Sequence, residues 1–311
     1  MATAMSPRII RNEDDFEALM QEIDALLQSR GGPIHAREIG ALAEAAHLLR
    51  ISLVGGPLTT GPIPGVYSGE SLSAHIFQWM KRRYGDRLKI DFAIGYAPTL
   101  LKGDAWLLRF PLTYGSVTIV CERNLSIQFP SLVVQKPGEP KQKPLFNLLS
   151  CIDKLPQGLA NSLSDTELRS LLEFYLLGHS FFNDASSLLQ NDHLATSALS
   201  DLTASAKYCV SSSSERGQSR WSALQASEKF LKLYIERRGG SYPKTHNLSQ
   251  LAKLACFFGL SKLDDALLNS VQCDAGIRYE ERQHRLQDVV AANHGAIAIA
   301  SAVVKTLFPH A

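Results

Sequence analysis

A carboxylate stands among the apolar positions of a helix in the C-terminal third of this chain, and no other residue constrains the fold as much. Leu224, Leu231 and Ile235 share one helical face, and Glu228 lies on it, four residues after Leu224 and three before Leu231. An ionised carboxylate is costly to bury alone, so a fold that uses this face must bring a cation or a donor to Glu228. Lys232 can do so along the helix at i+4, and His246 or Arg278 can do so from across a bundle. The cluster Glu228, Lys232, His246 and Arg278 is then either a structural polar clamp or part of a ligand pocket, and both readings stand at this point.

The surrounding punctuation supports a helix–turn–helix. An amphipathic helix is expected over residues 219–237, ended by Gly239-Gly240 and followed by a turn at Tyr242-Pro243. Thr245 or Asn247 is placed to cap the next helix, with His246 at the junction. A histidine there is a hydrogen-bonding wedge or, because the free amides of a helix start favour anions, a phosphate contact. It has no neighbouring cysteine or acidic ligands, so no metal and no cofactor are expected. From Glu215 to Lys253 eight basic residues face three acidic ones, a local surplus of +5 in a chain whose net charge is only +2. That surplus suits phosphate binding or a solvated surface.

Three short motifs in order give a family resemblance. Ala226 to Lys232 reads A-S-E-K-F-L-K, Pro243 to Leu248 reads P-K-T-H-N-L, and Arg278-Tyr279-Glu280 follows near the end of a later helix. Together they resemble the HEPN family over residues 195–308, about a third of the chain. The resemblance implies a bundle of helices, a homodimer through the helical part, and one of two kinds of function. The favoured one is a non-catalytic nucleotide- or RNA-binding module of a bacterial stress or defence system, with a nucleotidyltransferase as a possible partner protein. The alternative is a metal-independent, toxin-like endoribonuclease with an R-x5-H motif, here Arg278 and His284, where His acts as general acid or base and Arg stabilises the phosphorane. Tyr279 departs from the small polar residue usual after the arginine of nucleolytic members, and Glu280 and Glu281 repel a phosphodiester. A purely structural dimerisation or interaction scaffold is the third reading.

The remainder of the chain reads as α+β followed by all-α. Phe16, Leu19, Ile23, Leu26 and Leu27 mark a helix over residues 13–29, Arg30-Gly31-Gly32-Pro33 stops it, and helices are expected over residues 36–49 and 70–84. The Gly- and Pro-rich run from Gly55 to Gly65 is a loop without the Gly-Lys-Ser/Thr of a phosphate cradle. Residues 90–96, 105–110, 117–121 and 125–134 have strand character, with a turn at Tyr114-Gly115-Ser116, and suggest an antiparallel meander covered by the earlier helices. Composition then shifts to helix, with a capping box at Ser164-Asp165-Thr166-Glu167 and helices over residues 192–210, 247–258, 263–280 and 286–307. The expected division is an α+β domain over residues 1–158, of unknown role, and a helical domain over residues 159–311.

The five cysteines (Cys121, Cys151, Cys209, Cys256 and Cys273) are scattered without a C-x-x-C pair, which argues against a disulfide framework and for a reducing, cytoplasmic setting. No charged-then-apolar leader is apparent, and the apolar run from Val289 to Phe308 is interrupted by Asn293, His294, Ser301 and Lys305, so a buried helix is expected there rather than a membrane span.

Overall fold

The computed structural model describes residues 8–53, 58, 60–88, 93–112, 117–126, 145–189, 191–279 and 284–309. The chain forms two compact units, residues 1–91 and 92–311. The division falls well before the expected boundary at 158/159. The change from strand to helix composition near residue 150 lies inside the second unit, because the strands bury their faces against the helices that follow them.

Among its described residues the first unit is built on three α-helices, α1 (Glu13–Ser29), α2 (Arg37–Leu49) and α3 (Gly69–Tyr84). Asn12 caps α1 by accepting from the Asp15 amide at 2.9 Å, and Glu13, Asp14 and Asp15 place negative charge at its positive end. Phe16, Leu19, Met20 and Ile23 form the buried stripe of α1 and pack in one core with Ala41, Leu42 and Ala45 of α2 and Leu72, Ile76, Trp79 and Met80 of α3. Part of the loop run, residues 54–57 and 59, lies outside the described residues.

The second unit opens with a hairpin of β1 (Ala93–Leu101) and β2 (Asp104–Pro111), antiparallel with Leu101 opposite Asp104. Lys102 and Gly103 turn the chain with φ of 52° and 94°, the left-handed pair that a two-residue hairpin requires. β3 (Thr118–Val120) and β4 (Leu145–Asn147) form a separate parallel pair. The expected meander is therefore two small sheets. The expected turn at 114–116 and most of the expected strand at 125–134 lie outside the described residues. The hairpin packs on helices of its own unit: a Cβ at Gly95 would stand 2.2 Å from the Phe182 ring, and one at Gly178 would stand 2.6 Å from the Phe110 ring. Those two glycines let the strands approach the helix that carries Gly178 and Phe182.

Among the described residues seven α-helices follow: α4 (Gln157–Ser162), α5 (Asp165–Leu188), α6 (His193–Ser211), α7 (Arg216–Arg237), α8 (Leu248–Phe257), α9 (Asp265–Val271) and α10 (Leu286–Leu307). Ser164 and Glu167 form the capping box of α5, and Glu167 also pairs with Lys102 at 2.7 Å. The expected helix over 263–280 is shorter: Gln272 ends α9, and residues 275–279 form a separate 3-10 turn. α10 has the length and composition of a membrane-crossing helix, yet its apolar residues fill the core, with Ile297, Ile299, Ala300 and Val303 fully buried.

The core of this unit is organised around α7. The helix is not two-sided as its charges suggest, because α6, α8 and α10 all pack against it. Gly217, Ser219, Ser222, Ala223, Ala226 and Ser227 supply small side chains that permit this close approach. A buried polar link joins three helices: Ser219 Oγ donates to the Ser205 carbonyl at 2.7 Å, and Asn293 Nδ2 donates to Ser205 Oγ at 3.0 Å. The unit is thus α+β in class and mostly helical in content.

Candidate functional site

Glu228 occupies the middle of α7 and is 6% exposed. Burial of that carboxylate is compensated by three neighbours. Lys232 Nζ, one turn on, lies 2.5 Å from Oε1. His246 Nδ1 lies 2.7 Å from Oε2, and Gln225 Nε2 donates to the same oxygen at 3.3 Å. Two of the three expected partners, Lys232 along the helix and His246 from the following turn, are therefore engaged together. Lys232 also sits over the Tyr242 ring, 5.3 Å from its centroid, so the ammonium has a π face as well as a carboxylate.

Arg278 does not reach Glu228. Its guanidinium lies over Trp221, 4.5 Å from the ring centroid, and 5.1 Å from the centroid of Tyr279. Its Nε donates to the Ala275 carbonyl at 3.1 Å, which fixes the arginine within its own turn. The Trp221 ring in turn meets His246 edge-on, with centroids 5.3 Å apart. The four expected residues form one continuous chain of contacts, Lys232–Glu228–His246–Trp221–Arg278, in which Trp221 is the link.

Local sequence explains why these groups meet. Gly217, Trp221, Gln225, Glu228 and Lys232 recur at three- and four-residue spacing and so lie along one stripe of α7. At the first position a Cβ would stand 2.1 Å from the Ile277 carbonyl oxygen, so the glycine lets the 275–279 turn cross α7 and set Arg278 on Trp221. At the far end α7 is closed by Gly239 at φ 76°, with the Gly240 amide bonded to the Ile235 carbonyl at 2.9 Å. The chain returns, and Asn247 caps α8 by accepting from the Gln250 amide at 3.0 Å. Gln272 holds the returning turn: its Oε1 accepts from the Leu248 amide at 2.9 Å, and its Nε2 donates to the His246 carbonyl at 3.2 Å. Trp221, Gln225 and Gln272 are the members not singled out from sequence. The first two were readable as the continuation of the Glu228 stripe by one and two turns, whereas Gln272 acts across a long separation and leaves no local signal.

The surface of the cluster is cationic and aromatic. His246 has a side chain 59% exposed, Tyr279 is 78% exposed, and Arg278 is exposed and pairs with no carboxylate among the described residues. An aromatic face offers stacking to a planar base, and a guanidinium offers two parallel donors to a phosphate.

The second expected pair is placed differently. Arg278 lies against Trp221, whereas His284 is held near the start of α7, its carbonyl accepting from Arg216 Nη1 at 3.1 Å. The two anchor points are five residues apart on one helix, roughly 7.5 Å of rise. His284 Nε2 is enclosed by protein and closed to solvent. Glu280, Glu281, Arg282 and Gln283 lie outside the described residues. Among the described residues no three His, Cys, Asp or Glu side chains gather closely enough to hold a metal ion.

Compared with protein-family models, with curated proteins and with solved structures, the chain finds no match.

Proposed function

We propose that residues 195–308 form a HEPN-like bundle and that the chain is a non-catalytic nucleotide- or RNA-binding module, acting in a bacterial stress or defence system. The observation that carries this reading is the exposed guanidinium of Arg278 resting on Trp221 beside the exposed ring of Tyr279. Base stacking on such rings contributes about 1–3 kcal/mol per base, and it tolerates any base. The buried Glu228 with Lys232 and His246 serves as the anchor that keeps Trp221 and the 242–248 turn in register. Binding without cleavage fits the enclosure of His284 Nε2, which keeps that nitrogen from the ribose 2′-hydroxyl and the leaving oxygen of an RNA strand.

The resemblance adds a homodimer through the helical part, a cytoplasmic setting away from membranes, and a nucleotidyltransferase as partner protein. The first unit then supplies partner or target choice. The test is a panel of nucleotides and short RNAs scored by thermal stabilisation, since a ligand that binds only the native state raises its melting point. The reading predicts stabilisation by at least one of them and its loss in Arg278→Ala. If no nucleotide or RNA shifts the transition, the cluster is a structural clamp and the reading fails.

A further inference from the structure

The first unit carries a basic cleft that the readings above leave without a role. Arg37, Arg83 and Arg87 converge on a cavity of about 500 Å3 completed by Gln28, Ile34 and Tyr84. Three guanidiniums line it and no acidic side chain does. Among the described residues the carboxylate seen bound to the lining is Asp24, which is buried behind it and already committed. Its Oδ1 accepts from the Tyr84 hydroxyl, and its Oδ2 accepts from Gln28 Nε2 at 2.7 Å and lies 3.4 Å from Arg83 Nε. Tyr84 Oη in turn accepts from Arg37 Nη1 at 2.6 Å. One buried acid thereby orients two arginines, one directly and one through a phenol.

The arrangement has unspent capacity for an anion. Three positive charges face one negative charge, and Arg87 forms no ion pair among the described residues. Arg37 Nε–H is enclosed and has no acceptor among the described residues. Arg83 has a side chain 57% exposed, so its remaining donors open outward. The guanidiniums of Arg37 and Arg83, held by Tyr84 and Asp24, match the paired oxygens of a phosphate and need little further ordering on binding, and Arg87 adds a third, exposed cation. The volume lies within the range of small-molecule sites and exceeds what a single phosphate fills.

We propose that this cleft binds the phosphate end of a small phosphorylated ligand, a phosphomonoester or diphosphate. The assignment does not depend on the Trp221–Arg278 site. Calorimetric titration of the full chain with pyrophosphate at low salt tests it. One equivalent binds, Arg87→Ala weakens binding by about tenfold or more, and Arg83→Ala/Arg87→Ala abolishes it. Both residues are exposed, and retention of the native circular dichroism spectrum confirms that the variants fold. Trp221→Ala/Arg278→Ala leaves pyrophosphate binding unchanged, so failure here and failure of the proposed function are separable. No saturable binding of pyrophosphate, or binding untouched by the double arginine change, overturns the proposal. If the double change instead impairs only single-stranded RNA binding, the cleft reads a polymer backbone and the small-ligand assignment is wrong.

Discussion

Replacing Glu228 with alanine removes one partner of a buried ion pair and leaves the other in place. Side-chain exposures of 7% for Glu228 and 14% for Lys232 put this pair in the buried regime, whereas His246 at 59% is close to the surface. Removing one member of a buried pair costs about 3–5 kcal/mol because an uncompensated charge remains. The lost His246 contact adds no more than about 1 kcal/mol, as for exposed pairs. For a cooperative unit of this size the alanine change lowers the melting temperature by about 6–24 °C. Glu228→Gln keeps the shape and one acceptor for Lys232 and is expected to lose about 1.5–3 kcal/mol. Removing both charges in Glu228→Leu/Lys232→Leu restores stability to within about 1 kcal/mol of the native protein, since apolar isosteres often replace buried pairs without loss. Native-state hydrogen exchange at the Leu231 and Tyr234 amides reads this within α7 and keeps the first unit out of the measurement. An alanine variant within about 1 kcal/mol of the native protein, or a double variant less stable than the single one, would refute the reasoning.

Other consequences follow from particular contacts. Gly217→Ala forces a Cβ toward the Ile277 carbonyl, a backbone atom with no rotamer to yield, and is expected to cost at least about 1–3 kcal/mol and to unseat Arg278 from Trp221; an unchanged melting point and tryptophan spectrum would contradict this. His294 is stacked on Phe174 at 3.7 Å and bonded to the Pro98 carbonyl at 2.7 Å, and burial holds its pKa below the ordinary value. Between the ordinary histidine value of about 6.5 and that lower native value, the unfolded chain binds protons that the native ring refuses. Stability therefore falls as the pH is lowered through this window, and His294→Phe flattens the profile measured by denaturant unfolding. Burial likewise raises the Cys151 thiol to about 12 and Cys209 to about 11, so a thiol reagent added to the native protein at neutral pH labels the exposed Cys256 and spares these two until the chain unfolds.

Local patterns were legible and long-range partnerships were not. The helix over 13–29 and that over 286–307 follow from apolar periodicity and match the structure, and the Ser164–Glu167 capping box is present as read. The domain boundary was misplaced because composition reports the type of element and not what covers it. The contacts of Gly95 with Phe182 and of Gly178 with Phe110 that bind the hairpin to α5 have no local signature. The character of α7 was misjudged for a related reason: its small residues dilute the apolar count while serving close packing on every side. At the candidate site, the pairing of Glu228 with Lys232 and His246 was readable from the cost of a buried charge. The seat of Arg278 was not, because it depends on Gly217 admitting the 275–279 turn. In the first unit, Arg37 and Arg83 lie far apart in sequence and meet only through Asp24 and Tyr84.

The proposed role of the Trp221–Arg278 surface is to bind nucleotide or RNA. Titration of a fluorescein-labelled single-stranded RNA, followed by anisotropy at fixed salt, tests it most directly when the native chain is compared with Arg278→Ala. Saturable binding is expected, weakening by about tenfold or more on loss of the guanidinium, without a change in melting temperature of the free protein. Equal affinity in the two proteins, or no binding of RNA and of every nucleotide tried as competitor, would contradict it.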